Sequence, residues 1–301
     1  MSGLLPTFAR RQVQVGEVAV NVAVGGDGPP LVLLHGYPQT HVAWHKVAPR
    51  LAERFTVVCP DLRGYGDSDK PPGDPDHQRY AKRAMAGDVF GLMAALGHDR
   101  FAVVGHDRGA LVGHRLALDH PDAVTHLAVL DVLPQLDMWE AMDRAFGLAG
   151  YHLFFLAQPA DFPERLIGAD PDMFLTHTLR SWCGTPGAIT DQALAAYRAA
   201  FADPRTIHAS CEDYRAGATV DVDHDAEDRD RGRRIRAPLL LLWGQPPGIE
   251  LPFDPLAVWR RWAGQVDGTA LQCGHFLAEE RPDEVADALL GFLSAAPPPA
   301  P

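Results

Sequence analysis

Hydrophobic positions recur along this chain with two alternating periods, and each change of period marks a change of element. Residues 11–26, "RQVQVGEVAVNVAVGG", alternate with period two on either side of Gly16 and predict a β-hairpin. The short apolar runs "LVLLHG" (31–36) and "FTVVCPD" (55–61) end in turn residues and predict buried strands. Between them, "HVAWHKVAPRLAE" (41–53) sets Val42, Trp44, Val47 and Leu51 at helical spacing and predicts a helix. The alternation then repeats: Lys82 to Leu96 reads as helix, "FAVVGHD" (101–107) as strand, "RGALVGHRLALDH" (108–120) as helix and "THLAVLD" (125–131) as strand. Near the end come the strand "PLLLLWG" (238–244), the helix "LAVWRRWAG" (256–264), the strand "TALQC" (269–273) and a helix beginning at Pro282. Strands alternating with helices imply an α/β fold whose mostly parallel central sheet is flanked by helices on both faces.

One stretch breaks this rhythm. From 136 to 236 the pattern turns helical and richer in aromatics, as in "MWEAMDRAFGLAGYHLFFLAQ", "PERLIG", "DMFLTHTLRSW" and "ITDQALAAYRAAF". It predicts a helical cap at 136–236 inserted into a core of residues 1–135 and 237–296, with 297–301 a frayed tail. A pocket between core and cap is then the expected ligand site. "RGYGDSDKP" (63–71) reads as a surface loop bordering that pocket, and "DVDHDAEDRD" (221–230) as a solvated helix leading back to the core.

Composition narrows the partners without choosing a substrate. The 301 residues carry a formal net charge of −12, which disfavours nucleic acid and anionic membranes. No apolar run approaches the ~18 residues of a membrane span, and the start lacks the apolar core of a secretory signal. Cys59, Cys183, Cys211 and Cys273 are scattered without a CxxC pair, so free thiols in the cytoplasm are expected. The partner expected is a small-molecule substrate; a homodimer is compatible with these features. His41 and His45 are four apart, but no HExxH motif follows and no metal is expected.

The candidate chemistry gathers just beyond the strands. "VVGHDRGALVG" (103–113) places Asp107 between Gly105 and Gly109 at a strand-to-helix turn, where an esterase would carry Gly-x-Ser-x-Gly. The alternative is that Asp107 merely caps the helix. "HGYP" (35–38) follows an earlier strand, so the backbone N–H groups of Tyr37 and Arg108 are candidates for an oxyanion hole. His275, between the last strand and last helix, stands where the triad base belongs in chain order. Asp131 ends its strand and is the favoured partner of His275, ahead of Asp254 and Glu250. An aspartate nucleophile suits a saturated electrophilic carbon: it displaces a leaving group, and water activated by His275 opens the resulting ester. Carbon–halogen or strained C–O bonds fit; amides do not. Arg108 can pair with a substrate carboxylate, or with the cap in a structural ion pair. No cofactor is implied.

These segments, together with "HGYPQTHVAWHKVAP", "PDLRGYGDSDKP", "GHDRGALVGHRLALDHPD", "YHLFFLAQP", "CEDYRAGA" and "CGHFLAEERP", resemble the α/β-hydrolase superfamily, specifically the fluoroacetate/haloacetate dehalogenases. The resemblance runs from Leu31 to Pro282 and implies an α/β-hydrolase fold with Asp107 as nucleophile, His275 as base and Asp131 as acid. That family holds the leaving halide with a cap His–Trp pair and a Tyr; His152 and Tyr214 match, but Leu153 takes the tryptophan position. It also carries two arginines for the substrate carboxylate; Arg108 matches the first and Leu111 replaces the second. The resemblance therefore implies a hydrolase acting on short 2-halo carboxylates, with weak fluoride release and an apolar wall at Leu111 and Leu153. An epoxide hydrolase shares the triad and remains the alternative, with Tyr214 and Tyr151 as candidate proton donors. A ligand-binding protein without turnover is the alternative of another class.

Overall fold

In a computed structural model the chain is described over residues 3–245 and 253–294. The strands are β1 (Ala9–Val15), β2 (Val18–Gly25), β3 (Pro30–Leu34), β4 (Thr56–Pro60), β5 (Phe101–His106), β6 (Val124–Leu130), β7 (Leu239–Gly244) and β8 (Val266–Leu271). They form one sheet in the order β1-β2-β4-β3-β5-β6-β7-β8. The hairpin β1–β2 is antiparallel and β2 joins β4 antiparallel, whereas β4 to β8 pair in parallel through β3 and β5. Every residue of β5 is buried because helices cover both faces, which is why its sequence shows an apolar run instead of alternation.

The core helices are α1 (Ala48–Leu51), α2 (Lys82–Ala95) and α3 (Arg108–Asp119). Between β6 and β7 lie α4 (Gln135–Glu140), α5 (Arg144–Ala149), α6 (Tyr151–Leu156), α7 (Phe162–Ala169), α8 (Pro171–Trp182), α9 (Asp191–Phe201), α10 (Pro204–Ala218) and α11 (Val220–Asp230). The chain returns through α12 (Pro255–Trp262), α13 (Leu277–Glu280) and α14 (Pro282–Leu293). The expected tail 297–301 lies outside the described residues.

Several elements differ from the expected ones for identifiable reasons. The helix expected over 41–53 splits into a 3-10 turn at His41–Trp44 and α1, which has Pro49 in its first turn. A continuous helix would bury that ring against the carbonyl of His45 and forfeit a hydrogen bond. The stretch 138–158 falls into three short helices, with Gly150 between α5 and α6. The last strand starts at Val266, three residues before the expected "TALQC". The loop 63–71 is not a surface loop throughout: Arg63 and Tyr65 are buried, Arg63 on Asp88 and the Tyr65 hydroxyl on Asp213 at 2.8 Å. Nor is α11 merely solvated. Asp221, Asp225 and Asp228 are buried, Asp221 against Lys82 and Asp228 against Arg115 and Arg233.

Candidate active site

Three strand ends bring the expected residues together. Asp107 follows β5 with φ of 49°, and Asp131 follows β6 with φ of 54°, the left-handed region that a non-glycine residue enters at a cost. The turn around Asp107 closes only with glycine beside it. A Cβ on Gly105 would lie 2.5 Å from the Ala110 Cα, and one on Gly36 would lie 2.6 Å from the Asp107 Cβ. The Asp107 side chain makes no capping hydrogen bond to α3, which disposes of the simple N-cap alternative. Its Oδ1 instead accepts from the Tyr37 N–H at 2.7 Å.

His275 sits on the loop between β8 and α13, and that loop is clasped from two sides. The Glu280 carboxylate accepts from the Gly274 and Phe276 N–H groups at 2.9 and 3.0 Å. The backbone of His275 bonds to the Trp182 carbonyl at 2.9 Å, which ties it to the cap. Its Nδ1 lies 2.6 Å from Asp131 Oδ2, and the Gly244 N–H holds Asp131 Oδ1 at 2.8 Å. Its Nε2 faces Asp107 Oδ2 at 3.9 Å, too far for a hydrogen bond. Burial pulls the His275 pKa down, but the hydrogen bond and charge of Asp131 outweigh it and leave it raised. Asp254, the rival acid, instead caps α12 through the Leu256 N–H; Glu250 lies outside the described residues.

Beside these three residues stands an aromatic cluster drawn from α6, α8 and α10 and from the loop after β3. His152 lies 4.4 Å from Trp182 and 5.7 Å from Tyr214 between ring centroids, and Tyr214 lies 5.3 Å from Tyr37. The His152 Nδ1, the hydroxyls of Tyr214 and Tyr37, and His275 Nε2 are all buried without a hydrogen-bond partner among the described residues. Burial pushes His152 down to about 4, so its ring is neutral at pH 7, and pushes both phenols far up, so both keep their protons. Trp182 lies 5.3 Å from His275 between ring centroids, whereas Phe155 packs on Phe162 and Phe174. The Tyr37 hydroxyl was not among the expected side-chain donors; only its backbone was. The signal available was a phenol directly beside the loop glycine.

Arg108 is 2% exposed and lies 4.3 Å over the Tyr214 ring. Its Nε and Nη2 bind the Asp213 carboxylate at 3.2 and 2.8 Å. Asp213 also binds Lys82 and Tyr65, and the two cations hold its carboxyl well below the usual range despite burial. The ion pair with the cap thus exists, and it leaves Nη1 as the nitrogen without a hydrogen bond among the described residues. Leu111 and Leu153 are buried, at 2% and 6% exposure. A cavity of about 560 Å³ opens elsewhere on the core–cap seam, over His41, whose Nδ1 bonds to Asp61 at 2.7 Å.

Similarity to known proteins fixes the family. Residues 29–282 match the α/β hydrolase fold family. The chain belongs to that family. A fluoroacetate dehalogenase from Burkholderia sp. is 48% identical over 96% of this chain and 95% of its own. A soluble epoxide hydrolase from Corynebacterium sp. (strain C12) is 34% identical, covering 95% and 98%. Among solved structures, a mutant of a candidate epoxide hydrolase from Pseudomonas aeruginosa, with bound MFA, is 52% identical with a TM-score of 0.91, covering 96% and 97%. The protein is a hydrolase of this fold, related to both the dehalogenases and the epoxide hydrolases. No helix among the described residues is long and apolar enough to cross a membrane.

Proposed function

We propose that this hydrolase cleaves the carbon–halogen bond of short 2-halo carboxylates through an ester on Asp107. The observation that carries the reading is the division of labour between the two Asp107 oxygens. Oδ1 is held by the Tyr37 N–H, while Oδ2 faces His275. Oδ2 attacks the halogen-bearing carbon, the carbon–halogen pair leaves as halide, and an alkyl ester forms. His152 and the two phenols Tyr214 and Tyr37 are the donors for the departing halide. His275 Nε2 then takes a proton from water, the hydroxide adds to the Asp107 carbonyl carbon, and Oδ1 carries the oxyanion between the Tyr37 and Arg108 N–H groups. Collapse breaks the bond to Oδ2, His275 returns its proton to the alkoxide, and the hydroxy acid departs. The remaining proton goes to solvent.

Arg108 Nη1 is the group proposed for the substrate carboxylate. Its charge is shared with Asp213, and Leu111 supplies no second cation, so recognition of the anion is weaker than two free arginines provide. Leu153 brings no donor to the halide, hence slow fluoride release and faster chloride or bromide release. A cytoplasmic enzyme is part of the proposal, with its four cysteines kept as thiols. The test is chloride release from chloroacetate, measured by ion chromatography with Asp107→Asn as the blank. A single turnover in heavy-oxygen water should place the label in the Asp107 carboxylate and not in glycolate. Label appearing first in glycolate, or an active variant, overturns the ester.

A second reading rests on the same two phenols. Tyr37 and Tyr214 keep their protons in a buried setting beside Asp107, as the opening of an epoxide requires. Asp107-dependent diol formation from a terminal epoxide, without chloride release from chloroacetate, would favour it.

A further inference from the structure

Away from the triad, one buried carboxyl joins three segments that the reaction uses. Glu279 lies on α13, four residues after His275, and is 2% exposed. Its Oε2 accepts from Gln39 Nε2 at 2.6 Å and from the Tyr197 hydroxyl at 3.1 Å. The same Gln39 nitrogen stands 3.2 Å from the Tyr197 oxygen. Gln39 is two residues after Tyr37, whose N–H holds Asp107, and Tyr197 is a fully buried residue of the cap helix α9. Lys46 Nζ reinforces the junction by donating to the Glu279 carbonyl at 2.9 Å and to the cap carbonyl of Ala188 at 2.6 Å. We propose that Glu279 is a positioning residue that locks the Tyr37 loop, the His275 loop and the cap into one unit through Gln39 and Tyr197.

The same geometry makes the lock sensitive to pH. Burial outweighs Tyr197, Lys46 and Gln39 and pushes the Glu279 pKa up to about 8, so its carboxyl is protonated at pH 7. The groups that face it are His45 and Lys46 after the 3-10 turn, Tyr197 on α9, Cys183 after α8 and Glu280 on its own helix. Burial lowers the His45 pKa, which leaves Lys46 as the cation there at neutral pH, and its Nζ is already bonded to two carbonyls. Glu279 Oε1 is buried without a hydrogen-bond partner among the described residues, the His45 Nδ1 being 4.0 Å away. A carboxyl that titrates near 8 when locked and near its ordinary ~4.3 when solvated favours opening as pH rises between those values. Below this window the lock is at full strength; above it the loss is complete.

The lock is read here without turnover, although its purpose rests on the proposed roles of Asp107 and His275. The experiment is hydrogen exchange of the α9 amides and of those of Tyr37, Gln39 and Thr40 between pH 5 and 9, corrected for intrinsic rates. In the wild type the opening constant of α9 should rise by up to roughly tenfold per pH unit between about pH 5 and 8 and then level off. Glu279→Gln, an uncharged mimic, should give a flat profile. Tyr197→Phe keeps the ring and serves if that variant folds poorly; it should raise the opening constant at each pH and lower kcat for chloride release without raising KM. Parallel pH profiles in wild type and Glu279→Gln, or wild-type opening and kcat in Tyr197→Phe, would overturn the proposal. A pH-dependent lock in a wild type that releases no chloride would sink the haloacid reading and leave the lock standing.

Discussion

Leu153→Trp is the substitution that most directly tests the proposed leaving-group site. Leu153 is buried on α6, next in sequence to His152, whose Nδ1 is one of the unpartnered polar atoms above Asp107. A tryptophan there adds one N–H donor to a site that otherwise offers His152 and the phenols. A hydrogen bond to a charged acceptor is worth about 1.5–3 kcal/mol, which is roughly 10- to 150-fold on the step that breaks the carbon–fluorine bond. Chloride, a weaker acceptor, gains less. The larger ring also has little room: a Cβ on Gly150 would already meet Leu153 Cδ1 at 3.2 Å. Overpacking of this kind costs about 1–3 kcal/mol of stability and should appear as a lower Tm. The assay is the ratio of fluoride to chloride released from the two monohaloacetates at saturation. A folded variant that still releases chloride but shows an unchanged ratio would place the halide away from α6. Wild-type fluoride release as fast as chloride release would remove the premise.

Other consequences are as direct. The wild-type rate should rise with pH through a midpoint above 6.5, because His275 must be neutral to serve as the proposed base and Asp131 raises its pKa. Asp131→Asn should shift that limb to lower pH and reduce kcat on the order of 10⁴-fold, as in other triads; an unshifted limb would mean that another group is titrating. Burial pushes Asp225 up to about 7, so its ionisation opposes folding increasingly between about pH 4 and 7. Asp225→Asn should leave Tm unchanged near pH 4 and raise it at pH 8, by up to about 4 kcal/mol in stability; thermal unfolding at the two pH values decides. Leu111→Arg should lower the KM for chloroacetate by roughly tenfold, the value of one charge-assisted contact, and an unchanged KM in a folded variant would show that the substrate carboxylate does not reach that wall.

The elements that could be read along the chain are those whose stabilisation is local or periodic. The parallel strands β3 to β7 are legible because their faces are largely buried, so each is a continuous apolar run closed by turn residues. The Asp107 turn is legible because close backbone approach excludes side chains at Gly105 and Gly109. The chain order of Asp107, Asp131 and His275, just past β5, β6 and β8, points to a pairing of Asp131 with His275, 144 residues apart, and the folded chain sets them 2.6 Å from each other.

What tertiary structure alone decided is which charged groups are buried and with whom. Nothing periodic announces that Arg108 will share Asp213 with Lys82, 131 residues away from it, or that three aspartates of α11 will face inward. Glu279 and Glu280 are neighbours in sequence, yet one clasps the His275 loop and the other meets Gln39 and Tyr197 across the cap seam. Hydrophobic burial follows patterns along a single element, so the sequence by itself determined the layered sheet and the strand ends beyond which Asp107, Asp131 and His275 stand. A buried charge survives only where distant elements supply its partners, so the electrostatics of this site were decided by the packing of cap on core.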